Sequence, residues 1–264
     1  MASSRLPGKI LLDLGGQPML RRVYERTRRA RAVDAVVIAT STEAADDAVE
    51  MYCLENNLPC FRGSQFDVLD RVVQAARQQE AGVVVRITAD CPLIDPGLVD
   101  ATVSALWGAP DWQSALQKIG SYPETNYDFT ADRLPPPWHR TYPIGLDVEV
   151  CTMAALERAW REASEPYQRE HVMPYLYEQE GRFRVKVIQH DLDYGALRWT
   201  VDTPADLELL RLVFARFGGR DDFSWLDVID LFEREPALSQ INAEVQHKTY
   251  DDFDARAKSG GAQS

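Results

Sequence analysis

Cysteine is scarce and scattered: Cys53, Cys60, Cys91 and Cys151 are the only four in 264 residues, with no C-x-x-C pair among them. That spacing suggests neither a disulfide framework nor a zinc knuckle, and reduced thiols are expected. Histidine is equally thin. His139, His171, His190 and His247 show no H-E-x-x-H or comparable ligand spacing, so no zinc site is expected. Nothing approaches the roughly 20 apolar residues that span a bilayer, and the N-terminus lacks a signal-peptide core. A cytoplasmic location is the default expectation. Positive charge is the remaining deficit, with 29 Lys and Arg against 41 Asp and Glu for a net charge of -12. Binding to nucleic acid or anionic lipid draws on clustered Lys and Arg, so any polyanion held here must be small and locally bound. A G-x-S-x-G elbow is also missing, which weakens the case for a serine hydrolase.

What is present is a chain long enough for a substantial core, 45% hydrophobic and 27% charged. "QPMLRRVYERTRRAR" spaces Met19, Leu20, Val23 and Tyr24 as on one helix face, and "AVVIATST" is a short continuous apolar run. The pattern repeats through an acidic helix over "TEAADDAVEMYCLENN", a short segment at "PCFRGS", a helix over "DVLDRVVQAARQQE" and the apolar run "GVVVRITAD". Strands alternating with helices predict an α/β fold with a mainly parallel sheet flanked by helices. Ligands of such sheets sit beyond the carboxyl ends of the strands. From Trp107 to Pro143 the chain turns Pro-, Tyr- and Asp-rich and carries a triple proline that cannot be helix interior. It is expected to form an inserted substrate or dimer lobe around residues 108–145. Regular structure resumes with "MAALERAWREA", "QREHVMPYLYEQ", strands at "FRVKVIQH" and "ALRWTVD", the helix "TPADLELLRLVFARF" and a last helix from Trp225 to Arg234. Residues 1–250 read as one domain, and 251–264 as a disordered tail.

Three places could carry chemistry. Ser3-Ser4-Arg5-Leu6-Pro7-Gly8-Lys9 combines hydroxyls, a fixed bend, a glycine that lets the backbone come close, and two cations. A triphosphate needs that mixture, although the spacing is not that of a Walker loop; the plain alternative is a solvated chain end. Asp90 ends the apolar run in "RITADCPLIDP", and Asp202 ends "LRWTVD" directly before a helix. Two carboxylates at strand ends could hold Mg2+, a hard cation that leaves its other positions to phosphate and water. Against this, Asp202 could be a helix N-cap and Asp90 a turn residue. In "GLDVEV", Asp147 and Glu149 share one face of a strand while Leu146, Val148 and Val150 share the other. The acidic pair could hydrogen-bond sugar hydroxyls or line a solvated face.

Taken in order, "SSRLPGKILLDLGGQPML", "FRGSQFDVLDR", "RITADCPLIDP", "RTYPIGLDVEV", "REHVMPYLY", "LRWTVDTPADLE" and "LSQINAEVQHK" resemble the successive blocks of the spore-coat polysaccharide type of sugar cytidylyltransferases. The first block and the "VDTP" block are also similar to the 3-deoxy-manno-octulosonate and, more distantly, the acylneuraminate cytidylyltransferases. The resemblance implies a Rossmann-like nucleotidyltransferase fold and a cytoplasmic homodimer that uses CTP and Mg2+. It implies transfer of CMP to an acidic sugar with loss of pyrophosphate. By the same resemblance Ser3, Ser4, Arg5, Gly8, Lys9 and Arg71 bind nucleotide, Arg5 and Lys9 offset charge on the leaving pyrophosphate, and Asp90 and Asp202 hold the metal. Asp147 and Glu149 are the expected substrate-binding residues. "PIGLDVEV" departs from the octulosonate pattern, which leaves the acceptor open.

Two rival functions remain at this stage. One is a nucleotide-sugar glycosyltransferase whose metal is held by Asp147 and Glu149, and the other is a non-catalytic nucleotide-binding relative. The aromatic residues Trp107, Trp112, Tyr122, Tyr127, Trp138 and Tyr142 suggest a dimer interface or a sugar platform. In a Rossmann-like sheet the phosphate loop leaves the end of a central first strand, yet four residues precede Arg5. That strand is expected to be missing here, with Met1 an internal methionine and an apolar strand ending in Ala-Arg encoded upstream. The extended protein is expected to be more stable and more active.

Overall fold

A computed structural model describes residues 5–121, 124–135 and 140–246. Ser3, Ser4, Tyr122, Trp138, His139, His247 and the expected tail lie outside the described residues. The first half follows the alternation read from sequence. Helix α1 (Met19–Arg28) precedes β1 (Ile38–Ser41), α2 (Asp47–Glu55), β2 (Cys60–Gly63), α3 (Val68–Gln78) and β3 (Val83–Arg86). Asp67 starts α3 by accepting a hydrogen bond from the Asp70 amide at 2.9 Å, the usual service of an N-cap carboxylate.

Helix α4 (Pro96–Ala105) follows, although its sequence gave no helical signal. Asp95 caps it, accepting from the Leu98 amide at 3.0 Å, with Pro96 in the first turn. Most of its side chains are buried, polar Asp100, Thr102 and Ser104 included, so it shows no amphipathic stripe. The stretch expected to be irregular holds α5 (Trp112–Ser121) and β4 (Phe129–Ala131). A three-residue strand is too short to show a period of two. Then come β5 (Glu149–Thr152), α6 (Met153–Glu162), α7 (Pro166–His171), α8 (Pro174–Tyr177), β6 (Val185–Val187), α9 (Pro204–Arg216) and α10 (Trp225–Arg234).

The α/β class is as expected. Strands β1 and β2 pair in parallel; a second sheet runs β3-β5-β4-β6, with β4 and β6 parallel and β5 antiparallel to both of its neighbours. Strand β4 thus ties the 107–143 stretch into the main sheet. Among the described residues β1 pairs only with β2 and β3 only with β5, so each keeps one free edge. Val83, Val84 and Val85 are correspondingly half-buried. Helix α1 serves both sheets: Leu20 packs with Ile38 and Val49, whereas Met19 and Val23 belong to the cluster that Val83 and Val85 pack against.

"ALRWTVD" forms no strand. It makes one bridge, Ile144 with Arg198, because the chain at Gly145 crosses it too closely to run alongside. Gly145 has φ +103°, and a Cβ there would lie 2.5 Å from the Thr200 amide nitrogen. Of the aromatic residues read as interface candidates, Trp107 is buried, and Trp112, Tyr127 and Tyr142 pack against the same core. Those four serve this chain's own interior. No helix among the described residues is long and apolar enough to cross a membrane.

Two arginines of α1 point inward. Arg22 donates to the carbonyls of Leu14 at 3.0 Å and Gly219 at 2.8 Å and to Asp221 Oδ2 at 2.8 Å. Arg26 donates to the carbonyls of Ile94 and Asp221, each at 2.8 Å, and of Phe223 at 3.1 Å. Their guanidinium groups lie over Phe214 and Phe223, each 4.5 Å from the ring centroid. With every guanidinium nitrogen hydrogen-bonded, such burial is tolerable, and together the two arginines bolt α1 to the chain beyond α9. Removing one partner of a buried ion pair strands the other charge. Arg22→Met should therefore cost about 3 to 5 kcal/mol in urea unfolding, and a loss below about 1 kcal/mol would show the Arg22–Asp221 pair to be dispensable.

Candidate active site

Beyond the end of β3 three distant segments meet on one ammonium group. Gly8, at φ +69°, turns the chain into a short 3-10 turn that begins at Lys9, a left-handed backbone that glycine adopts without strain. Lys9 Nζ donates to Asp90 Oδ2 at 2.7 Å, to the Val201 carbonyl at 2.7 Å and to Asp202 Oδ1 at 2.9 Å. These use all three of its protons. The carboxylates stand together because their segments are laced: the Val201 amide donates to the Asp90 carbonyl at 2.9 Å and Thr200 Oγ1 to the same oxygen at 3.0 Å. The other Asp202 oxygen meets Arg5 Nη2 at 3.0 Å and Arg198 Nη2 at 2.7 Å.

The cap at α9 falls to other residues. Thr203 is the N-cap, its hydroxyl accepting from the Asp206 amide at 3.3 Å, while Asp206 Oδ2 accepts from the Thr203 amide at 2.9 Å. Asp206 also takes Arg198 Nε at 3.0 Å and Asn242 Nδ2 at 2.8 Å. Asp202 is thereby released from the structural duty that its position suggested. Burial pushes the Asp202 carboxyl up, but the Lys9 charge and hydrogen bonds from Lys9 and Arg198 outweigh it and bring the group to about 2. Burial pulls Lys9 down, and the charges of Asp90 and Asp202 more than reverse it. Arg5, Lys9 and Arg198 thus face Asp90, Asp202 and Asp206.

A second polar cluster centres on Asp147. Its Oδ1 accepts from Arg140 Nη2 at 2.8 Å and lies 3.4 Å from Arg133 Nε. Asp132 is buried beside it, accepting the Val148 amide at 2.9 Å on Oδ1, while its Oδ2 and Arg140 Nη1 are buried with no hydrogen-bond partner among the described residues. Burial raises the Cys91 thiol, and the charges of Asp90 and Asp147 raise it further, so both clusters act on one residue. Thr141 joins the second cluster to an aromatic group, accepting the His190 amide on its hydroxyl and the Tyr194 amide on its carbonyl, each at 2.8 Å. The rings of Tyr142, His190, Tyr194 and Trp225 meet there at centroid distances of 5.1 to 5.8 Å.

The structure therefore gathers Arg5, Lys9, Asp90 and Asp202, with Gly8 at the turn. Leu146, Val148 and Val150 are buried in the core as the alternation predicts. Glu149 has a partner of its own, its carboxylate meeting Arg86 Nη1 at 2.5 Å, from the residue opposite it on β3. Arg71 stands on α3, donating to the Ser64 carbonyl at 2.8 Å and packed over Gly63. Arg133, Arg140, Asp132, Arg198 and Asp206 were not found from sequence. For Arg198, the spacing of Arg198, Asp202 and Asp206 at four-residue intervals was a usable signal; Arg140 and Asp147 come together through a loop and left none.

Asp90 and Asp202 converge on one cation, the Lys9 ammonium, and two carboxylates so placed are the kind of donors that a hard divalent ion takes. Among the described residues no group of three or more His, Cys, Asp or Glu forms a metal cage. The donor set thus fits Mg2+ only where phosphate and water complete the shell.

A family model described as cytidylyltransferase matches residues 1–212. The spore coat polysaccharide biosynthesis protein SpsF of Bacillus subtilis is 30% identical over 243 residues, covering 89% of this chain and 92% of that protein. A 3-deoxy-manno-octulosonate cytidylyltransferase of Pelobacter propionicus is 36% identical over 117 residues, 44% of this chain and 45% of that one. The solved structure of a cytidylyltransferase from Leptospira borgpetersenii superposes with a TM-score of 0.80 at 31% identity, covering 94% of this chain and 95% of that one.

Asp132 gives the second cluster a pH signature. Burial, then the charge of Asp147, pushes its carboxyl from 3.8 up to about 8. Between those values the folded chain holds a proton that the unfolded chain has lost, so stability falls as pH rises through the window. Asp132→Asn cannot ionise and should remove that slope. Urea midpoints measured from pH 4 to 8 should therefore converge at low pH and favour the variant near pH 8; parallel profiles would contradict the assignment.

Proposed function

The chain belongs to the cytidylyltransferase family, and on that premise we propose that it transfers CMP from CTP to an acidic sugar, releasing pyrophosphate, for polysaccharide or glycan assembly. The observation that carries this reading is the pair of adjacent clusters, one built around Lys9, Asp90 and Asp202 and the other around Arg133, Arg140 and Asp147. Each cluster sets arginine or lysine against an equal number of carboxylates, and those cations are the groups a nucleotide and an acidic acceptor would engage. Arg5 and Lys9 bind the triphosphate and offset charge as pyrophosphate leaves. Asp90 and Asp202 would hold Mg2+, which would supply orientation of the phosphate oxygens and stabilisation of developing charge. A sugar hydroxyl, giving up its proton to water, forms the new bond to the α-phosphorus as the bond to the leaving pyrophosphate breaks. The demand on the protein is placement, and no covalent nucleophile is needed.

Arg140, with a buried guanidinium nitrogen unpartnered among the described residues, would take the acceptor carboxylate together with Arg133, because a guanidinium fork matches a carboxylate. The substrate named by the octulosonate relative supports an acid of that kind. Asp147, held between those arginines, would accept from sugar hydroxyls. No observation favours the glycosyltransferase reading, since Asp147 and Glu149 are each engaged by a different arginine. A cytoplasmic homodimer belongs to the same proposal; a monomer in light scattering at micromolar concentration would remove the dimer from it.

The test is pyrophosphate release from CTP and Mg2+ with a panel of octulosonic, nonulosonic and neutral sugars. Turnover is expected with at least one sugar acid and not with its neutral counterpart. Arg140→Met should raise the KM for that acid at least tenfold and leave the KM for CTP within about twofold, a loss of roughly 1.4 kcal/mol or more confined to the acceptor. CTP binding without pyrophosphate release from any sugar would instead support a non-catalytic relative.

A further inference from the structure

The Asp90 and Asp202 carboxylates already share a cation, and it belongs to the protein. Lys9 Nζ sits 2.7 Å from Asp90 Oδ2 and 2.9 Å from Asp202 Oδ1, with its third proton on the Val201 carbonyl at 2.7 Å. A divalent ion bridging those two oxygens would need them at about 2.0 to 2.1 Å, in the space the ammonium fills. The two cannot occupy it together. Arg5 and Arg198 engage the remaining Asp202 oxygen, so that carboxylate has no oxygen free of a cation.

We propose that Lys9 is the resting counter-ion of the Asp90–Asp202 pair and keeps a divalent cation off the site until nucleotide phosphates draw the ammonium away. This rests on reading the two carboxylates as the metal-holding pair. Charge balance argues for the exchange. Arg5, Lys9 and Arg198 offset Asp90, Asp202 and Asp206, so a divalent ion arriving alone would leave two uncompensated positive charges in a half-buried site. Arriving with a triphosphate, the ion brings its own compensation, and Lys9 trades carboxylate oxygens for phosphate oxygens. The move is local, because Lys9 lies at the start of a three-residue turn just after Gly8 and the exposed Pro7. The metal and nucleotide then enter together, and the acid pair is never left bare: Lys9 acts as a placeholder first and a phosphate ligand second.

The experiment is Mn2+ binding followed by electron paramagnetic resonance on the full chain, with and without CTP. Wild type is expected to bind Mn2+ alone at least tenfold more weakly than Lys9→Met, and Asp90→Asn added to Lys9→Met should abolish the gain. With CTP present the order should reverse, wild type holding Mn2+ and CTP together more tightly. Lys9→Gln provides the same comparison if Lys9→Met does not fold, as judged by circular dichroism. Equal Mn2+ affinity in wild type and the Lys9 variants, with Mn2+ still bound alongside CTP, would overturn the placeholder role and leave the metal-holding pair standing. No bound Mn2+ in wild type even with CTP would overturn the metal-holding pair itself and the inference with it.

Discussion

One ammonium group organises the open end of this molecule. Lys9 Nζ joins residues that lie 81 and 193 positions away in the chain, and it does so in a half-buried setting where charge pairs are screened less than at the surface. Without it, Asp90 and Asp202 would face each other as like charges beyond the end of β3. The laced backbone of Thr200, Val201 and Asp90 keeps the two carboxylates together, so the cation is required by the fold before any ligand arrives. Arg5 and Arg198 complete the neutral set, and Asp206, anchored by Thr203 and Asn242, keeps Arg198 in line.

The residues of this knot were largely legible in sequence because each stands at a break in a pattern. Asp90 and Asp202 are charges that end apolar runs, and Lys9 is a cation beside a glycine in an acidic chain. What sequence left ambiguous was duty. Residue type allowed either Asp202 or Thr203 to cap α9, and only the local geometry assigns the cap to Thr203. Helix α4 was lost because burial all round erases the apolar stripe, and β4 because three residues carry no period. The inward arginines of α1 were lost for a related reason: nothing in their spacing shows that the carbonyls of Leu14, Ile94, Gly219, Asp221 and Phe223 converge on Arg22 and Arg26. Arg133, Arg140 and Asp147 meet through loops, where sequence spacing says nothing about distance.

The two clusters also differ in chemical character. Around Lys9 every carboxylate is met by a cation, whereas Asp132 is buried with one oxygen unpaired among the described residues and Arg140 keeps an unused donor. Unsatisfied buried polar groups are costly, and a carboxylate-bearing acceptor would supply an acceptor for that donor. The first cluster is a closed set of charges that, on the proposed function, nucleotide would open. The second is an incomplete set that the sugar would complete.

The central claim is that the Lys9, Asp90 and Asp202 knot receives the phosphates of CTP. A crystal structure of the chain with Mg2+ and a CTP analogue whose α–β bridge cannot be cleaved tests it most directly. The account predicts the triphosphate against Arg5 and Lys9, with the α-phosphate facing Asp90 and Asp202. A triphosphate bound elsewhere, with Lys9 still joined to both carboxylates, would contradict it.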